Sequence, residues 1–446
     1  MKKLLLILLA LLTCRTATPQ CRVLTLDECR EMALSASTSM RGAELDIISA
    51  KAQQEEAFLE YLPKVSASAA AFHALNPLID IGLTDILGTS DRAWEITNTF
   101  TDLAASEGLH SRYQALQHGY GATLALTQPL YAGGRIKTGN RLATLGVEAA
   151  SLQRDVRHHE TIDAVDEKYW TVVSLQEKAK TLKQAKETLD TLLKDATAAQ
   201  EAGLIAASDV LQVRLKISEL KSADIQLTNG LKLAKTDLCN LMGMECPDSL
   251  LLGDMPEATP PHRVQRVPAT AIASHMEETR LLNLRVRASE LQQRMILGEA
   301  LPTVGLGAMY GYGQYMGTGR TNGAVYGIVS IPISDWGKVS RQLRRAAGDT
   351  EKARSEREYL GAQLVLKAQK LWSDVETAWA QVQTAEESVT LSSEVYREQQ
   401  ARYMAGMVTL ADLLQVQTLL RQAEDALTEN RTQYHRAITA WQRLAY

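Results

Sequence analysis

The chain has 446 residues, long enough for two or three average domains, and its 48 Lys and Arg against 52 Asp and Glu give a formal net charge of -4 with no basic surplus for a nucleic-acid partner. Aromatic residues make up only 5%, with 3 Phe, while Ala and Leu lead and Gln and Glu are plentiful, the composition of long helices rather than of an aromatic-packed core. Beyond the first residues no run of about 18 uninterrupted apolar side chains occurs, which excludes a membrane-spanning helix and leaves strands closed into a barrel as the means of crossing.

Lys2 and Lys3 precede an apolar run from Leu4 to Leu12, the pattern of a cleavable export signal over residues 1–20. Leu11-Leu12-Thr13-Cys14 has the form of a lipoprotein box, so both acylation of Cys14 and ordinary cleavage between Thr13 and Cys21 fit. A helix then leads to Leu62-Pro63 and a strand over Lys64–Phe72. The loop from Phe72 to Tyr120 carries an apolar run, Leu75 to Leu83, that suits a plug, a cover on a barrel mouth or a contact for an outside partner. A second strand, Tyr120–Gln128, ends at Pro129. A long helix, Gly134–Glu201, follows, then an Ala-Gly turn and a returning helix.

That series occurs twice. Residues 129–136 recur at 332–339, and residues 202–213 recur at 405–416, both at an offset of 203. The equal offsets leave no insertion between them, as an unbroken helix requires: one extra residue rotates its face by about 100°. The expected organisation is repeat 1 over 21–243, a linker over 244–268 with Pro260-Pro261, and repeat 2 over 269–446. Repeat 2 carries strands at Pro302–Tyr312 and Val325–Ile331 and a long helix at Gly337–Met404. Each long helix is about 100 Å at 1.5 Å per residue. The returning helix has a heptad seam, Val210, Val213, Ile217, Leu220, Asp224, Leu227, Leu231, Ala234 and Leu238, echoed 203 residues later. Leu211, Leu215, Ile225 and Leu233 widen the stripe, so the helix can touch neighbours on two sides. The fold class is mainly α with a small β part. Four strands cannot close a barrel, the smallest using about eight, so this chain contributes its four to an oligomer.

Cys239 and Cys246 flank a short turn at Gly243 and suit either a disulfide or two packed thiols. His158-His159-Glu160 reads as a solvated helix face, with Asp155 and Asp163 as ion-pair partners of His159; neighbouring His side chains diverge, so no metal site is expected. No GxSxG, P-loop, HExxH or Cys/His dyad is present, and neither catalysis nor a cofactor is expected.

In order and twice over, these landmarks resemble the TolC-like outer-membrane efflux proteins across about residues 23–446. Leu24 to Leu34 resembles the family's opening helix, Leu62-Pro63 its helix-to-strand joint and Thr127 to Gly134 its strand-to-helix joint. Ser37-Thr38-Ser39 stands in place of the family's Asn-Pro. The resemblance implies a homotrimer in the outer membrane of a Gram-negative bacterium, with twelve strands forming a porin-like barrel and twelve helices a periplasmic tunnel. A periplasmic adaptor and an inner-membrane transporter would feed it. It places the tunnel tips at Gly203 and Gly406, with Leu204, Asp209 and Met407 beside them as adaptor contacts. At the family's constriction, Asp412 matches the first acid and Tyr403 the tyrosine, while Gln415 replaces the second acid and Val408 the arginine. On the residues alone, Gly203 and Gly406 are helix terminators and Asp209 and Asp412 first-turn carboxylates. A periplasmic coiled-coil tether without a pore is the competing reading; it leaves the paired strands unexplained.

Overall fold

The computed structural model describes residues 23–88, 90–108, 112–247, 250–261, 266–314, 318–335 and 337–445. The export signal, Cys14 and Cys21 lie outside the described residues. The elements run, in chain order, β1 (Val23–Leu24), α1 (Leu26–Ala36), α2 (Thr38–Leu59), β2 (Lys64–His73), β3 (Ile79–Gly82), α3 (Leu83–Leu87), α4 (Asp91–Ser106), β4 (Arg112–Ala115) and β5 (His118–Ala132). Then come α5 (Arg135–Glu201), α6 (Ala207–Leu241), β6 (Leu251–Leu252), α7 (Ala269–His275), α8 (Glu277–Glu299), β7 (Thr303–Gln314), β8 (Gly319–Ser330), α9 (Lys338–Met404) and α10 (Leu410–Ala445). Both long helices, α5 and α9, have 67 residues. The break that the family makes with Asn-Pro falls here at Ser37, whose hydroxyl accepts the Met40 N–H at 3.2 Å and so starts α2.

The chain divides into two compact units. One comprises Ser49–Val147 and Val286–Lys352. Its sheet is antiparallel throughout, in the order β2-β5-β7-β8, which leaves β2 and β8 as edges. The register sorts the side chains onto two faces. One row reads Val65, Leu126, Ala308, Val325; a row on the other face reads Ser68, Thr123, Gly311, Asn322. Tyr310 and Tyr312 join the apolar face, and its side chains stand in the open, Val325 at 83% and Tyr310 at 63% exposure. Water on that face would be opposed by the hydrophobic effect, whereas lipid would not. Among the described residues no helix is long and apolar enough to cross a membrane.

Three expectations change here. The fourth strand begins at Gly319, well before Val325, because its ladder with β7 runs on from Ala308↔Val325 to Gln314↔Gly319. The second strand continues four residues beyond Gln128, because a register shift between Pro129 and Tyr131 lets the ladder pass a residue that has no N–H to donate. The segment between Phe72 and Tyr120 is more than a loop. Its β3 and β4 pair in register Ile79↔Ala115, and α4 starts at Ser90, whose hydroxyl accepts the Ala93 N–H at 3.3 Å. Ala93 and Thr97 are buried, while Trp94, Phe100 and Leu103 remain exposed.

The other unit holds the described residues of 1–48, 148–285 and 353–446. Its cores repeat the 203-residue offset in space. Val165, Tyr169, Val172 and Leu238 lie in one cluster; Ala368, Trp372, Val375 and Trp441 occupy the equivalent places in another. β1 and β6 pair in parallel, Val23↔Leu251, tying the linker to the start of the chain. Asp166, buried on α5, takes a bidentate bond from Arg30 of α1, at 2.7 Å to Nε and 2.8 Å to Nη2. Arg443 of α10 lies 3.7 Å from the same carboxylate and pairs with Asp163. Asp155 pairs with Arg154, so His159 faces Glu277 at 4.0 Å instead of the two aspartates expected beside it. Arginines, always charged, take those carboxylates, one from the adjacent position and one from α10. Cys239 and Cys246 are free thiols, and burial pushes Cys239 up to about 12.

His435 is buried between α5 and the linker. Its ring stacks on Trp170 at 4.8 Å and 13°, and Nε2 lies 2.9 Å from the Pro256 carbonyl. Burial lowers its pKa, and the Pro256 carbonyl only partly opposes this. The unfolded chain therefore binds the proton more readily, and stability falls as the pH drops below about 6.5. We expect the melting temperature to decline through that range, and His435→Gln to flatten the acid limb of the curve.

Candidate functional site at the helical tips

Each long helix ends in the same capping geometry. Gly203 and Gly406 adopt φ of +74° and +72°, the left-handed conformation that a side chain resists. The Leu204 N–H reaches back to the Ala199 carbonyl at 2.8 Å, and the Met407 N–H to Arg402 at 2.9 Å, equivalent bonds 203 residues apart. The chain therefore reverses at both glycines, and Leu204 and Met407 are left exposed at 78% and 75%.

The returning helices start differently. In repeat 2, Thr409 and Asp412 make a full capping box: the Thr409 N–H and hydroxyl bond the Asp412 carboxylate at 3.1 and 2.6 Å, and the Asp412 N–H returns to the hydroxyl at 3.2 Å. Those bonds, the hydroxyl first, hold the Asp412 carboxyl below the usual carboxylate range. In repeat 1, Ala206 has no hydroxyl, and Asp209 keeps only the backbone contact at 3.4 Å.

Val210 and Val213 of α6 pack with Leu189 and Ala196 of α5 and with Leu410 and Leu414 of α10, so the two tips share one small core. Tyr403 packs against that core, half-buried. Burial, then the charges of Asp209 and Asp195, raise its pKa and keep the phenol neutral. Val408 is half-buried, whereas Asp412 and Gln415 are exposed and, three residues apart on α10, share a face. The structure thus gathers Tyr403 into the tip core and leaves Asp412 and Gln415 free to meet solvent. Asp195 is the residue the sequence did not single out; it is one acid among many on a helix surface. On α6 the seam positions Val210, Val213 and Leu238 are buried, but Leu211, Leu215, Ile225 and Leu233 stay exposed on the opposite side. A lone protomer leaves that apolar stripe uncovered. The arrangement has no nucleophile–base pair. It presents the Asp412 charge to solvent.

A family model described as outer membrane efflux protein matches residues 95–244 and 282–445. No curated protein sequence matches the chain. Among solved structures, the outer membrane protein VceC from Vibrio cholerae is similar at 16% identity and a TM-score of 0.75, over 94% of this chain and 95% of that one. A membrane protein from Pseudomonas aeruginosa is similar at 17% identity and 0.77, over 94% and 89%. The open state of the Neisseria gonorrhoeae MtrE outer membrane channel is similar at 16% and 0.71, over 94% and 88%.

Proposed function

The chain belongs to the outer membrane efflux protein family, and on that premise we propose that it is one protomer of a trimeric duct that carries cargo out through the outer membrane. The observation that carries this reading is the four-stranded sheet with one apolar, exposed face and two unpaired edges. Three copies supply twelve strands, enough to close a barrel whose outer face meets lipid and whose inner face, with Ser68, Thr123 and Asn322, meets water. The exposed stripe on α6 favours the same assembly, since a neighbouring helix would cover it. A pore-free tether would have no use for a lipid-facing sheet.

The tips are where a periplasmic adaptor and the inner-membrane transporter behind it would dock, with Leu204 and Met407, beside Gly203, Asp209 and Gly406, as apolar contacts. Threefold symmetry would bring three Asp412 side chains around the constriction with Gln415, Val408 and Tyr403. Gln415 and Val408 supply no charge, so Asp412 alone sets a modest cation preference. Purified protein in planar bilayers tests this. The wild type is expected to pass ions with a cation preference, and Asp412→Asn to reduce that preference while its amide oxygen still accepts the Thr409 N–H. Because the carboxyl titrates below its ordinary value, near 4, the wild-type preference should persist at neutral pH and vanish only in stronger acid. A silent bilayer would refute the duct; unchanged selectivity in Asp412→Asn would refute only the constriction.

A further inference from the structure

The two edges of the strand-bearing unit carry opposite charge at the same level, and we infer that they form an ion-paired seam between neighbouring copies of this chain. The inference rests on the trimeric duct, which requires edge β2 of one copy to lie beside edge β8 of the next. Lys64 opens β2, and its register passes through Thr127 and Gly307 to Tyr326, near the end of β8 at Ser330. α2 therefore ends, and α9 begins, at the same end of the sheet. Closing the barrel brings the head of α9 beside the end of the next copy's α2.

Both helix faces involved point away from the chain's own neighbours. On α2, Gln54 bonds Thr144 at 3.0 Å, and the Ala57 carbonyl accepts Asn140 at 2.7 Å. At about 100° per residue, Glu55, Glu56 and Leu59 lie on the opposite side, all exposed. On α9, Thr350 bonds Ser289 at 3.0 Å and Ala346 is buried, so Arg341, Arg344 and Arg345 lie opposite, also exposed. Among the described residues none of these five charges has an ion pair within the chain. Two carboxylates on one edge face three guanidinium groups on the other. The antiparallel alignment that sets Glu56 beside Arg344 also sets Glu55 beside Arg345 and Lys51 beside Asp349, with opposite signs at all three.

Complementary edges do more than add attraction. In a barrel a one-residue slip exchanges the lipid-facing and water-facing side chains, and a charge ladder just below the strands would penalise such a slip. Arg344 and Arg345 are thus register-setting residues for assembly.

The test is a charge swap read as trimer stability in detergent, by light scattering coupled to size exclusion after graded heating. Glu55→Lys with Glu56→Lys, and separately Arg344→Glu with Arg345→Glu, should each shift the balance toward monomer by about tenfold or more, since three seams each lose two pairs. The fourfold variant, carrying both reversals, should recover most of the trimer. Full trimer stability in either double variant, or no recovery in the fourfold variant, would overturn the seam while leaving the duct intact. A wild type that is not trimeric at all would remove the duct as well, a result distinct from both.

Discussion

Asp166→Ala is expected to cost about 3–5 kcal/mol of folding stability, as breaking a buried ion pair by removing one partner does. Its carboxylate is only 9% exposed and receives both arms of the Arg30 guanidinium. Arg443, itself 15% exposed, lies 3.7 Å from one of the same oxygens. Alanine would leave Arg30 with its bond to Asp27 and otherwise strand a half-buried cation, while Arg443 would keep only Asp163. Three helices meet at this carboxylate: α1 from the start of the chain, α5 and the end of α10. The loss therefore loosens the place where both termini join the long helix. Chemical unfolding of the detergent-solubilised protein measures it. Asp166→Asn, which keeps the shape but not the charge, should fall between wild type and alanine, and a change under about 1 kcal/mol in Asp166→Ala would contradict the account.

Gly133→Ala should cost roughly as much, for a steric reason. Gly133 turns the chain from β5 into α5 at a φ of +62°, and an added Cβ would press on the Gly298 carbonyl oxygen, a backbone atom at the end of α8. Leaving a non-glycine residue in the left-handed region costs about 1–2 kcal/mol. Overpacking against rigid backbone adds about 1–3. Gly134 is the control. It has a φ of +75° but open space around it, so Gly134→Ala should lose only the first of these amounts. Equal effects in the two variants would show that the contact with Gly298 does not matter. The readout is the heat required to unfold the protein on a gel under otherwise native conditions.

How much of this was legible in the sequence depended on the range of the interaction. The tip reversals were readable because Gly203 and Gly406 solve a local problem, the left-handed end of a helix, and solve it twice at one spacing. The long helices were readable because an unbroken offset of 203 tolerates no irregularity. The Asp166 network was not, because Arg30 stands 136 residues away and nothing in the neighbourhood of Asp166 distinguishes it from other acids on a helix. α4 was hidden for a different reason. Ile96, Thr97, Thr99 and Thr101 are β-branched and weaken helix propensity. The helix forms through the Ser90 cap and the burial of Ala93 and Thr97. At the proposed constriction, sequence matched positions but not surroundings. Tyr403 is drawn into the core shared by both tips, and Asp412 is spoken for by Thr409, neither of which spacing reveals.

The most direct measurement is electron microscopy of the purified, detergent-extracted protein. Threefold end views and a hollow tube walled by helices about 100 Å long are expected. Single-stranded rods or detergent-independent particles without a central channel would contradict the trimeric duct.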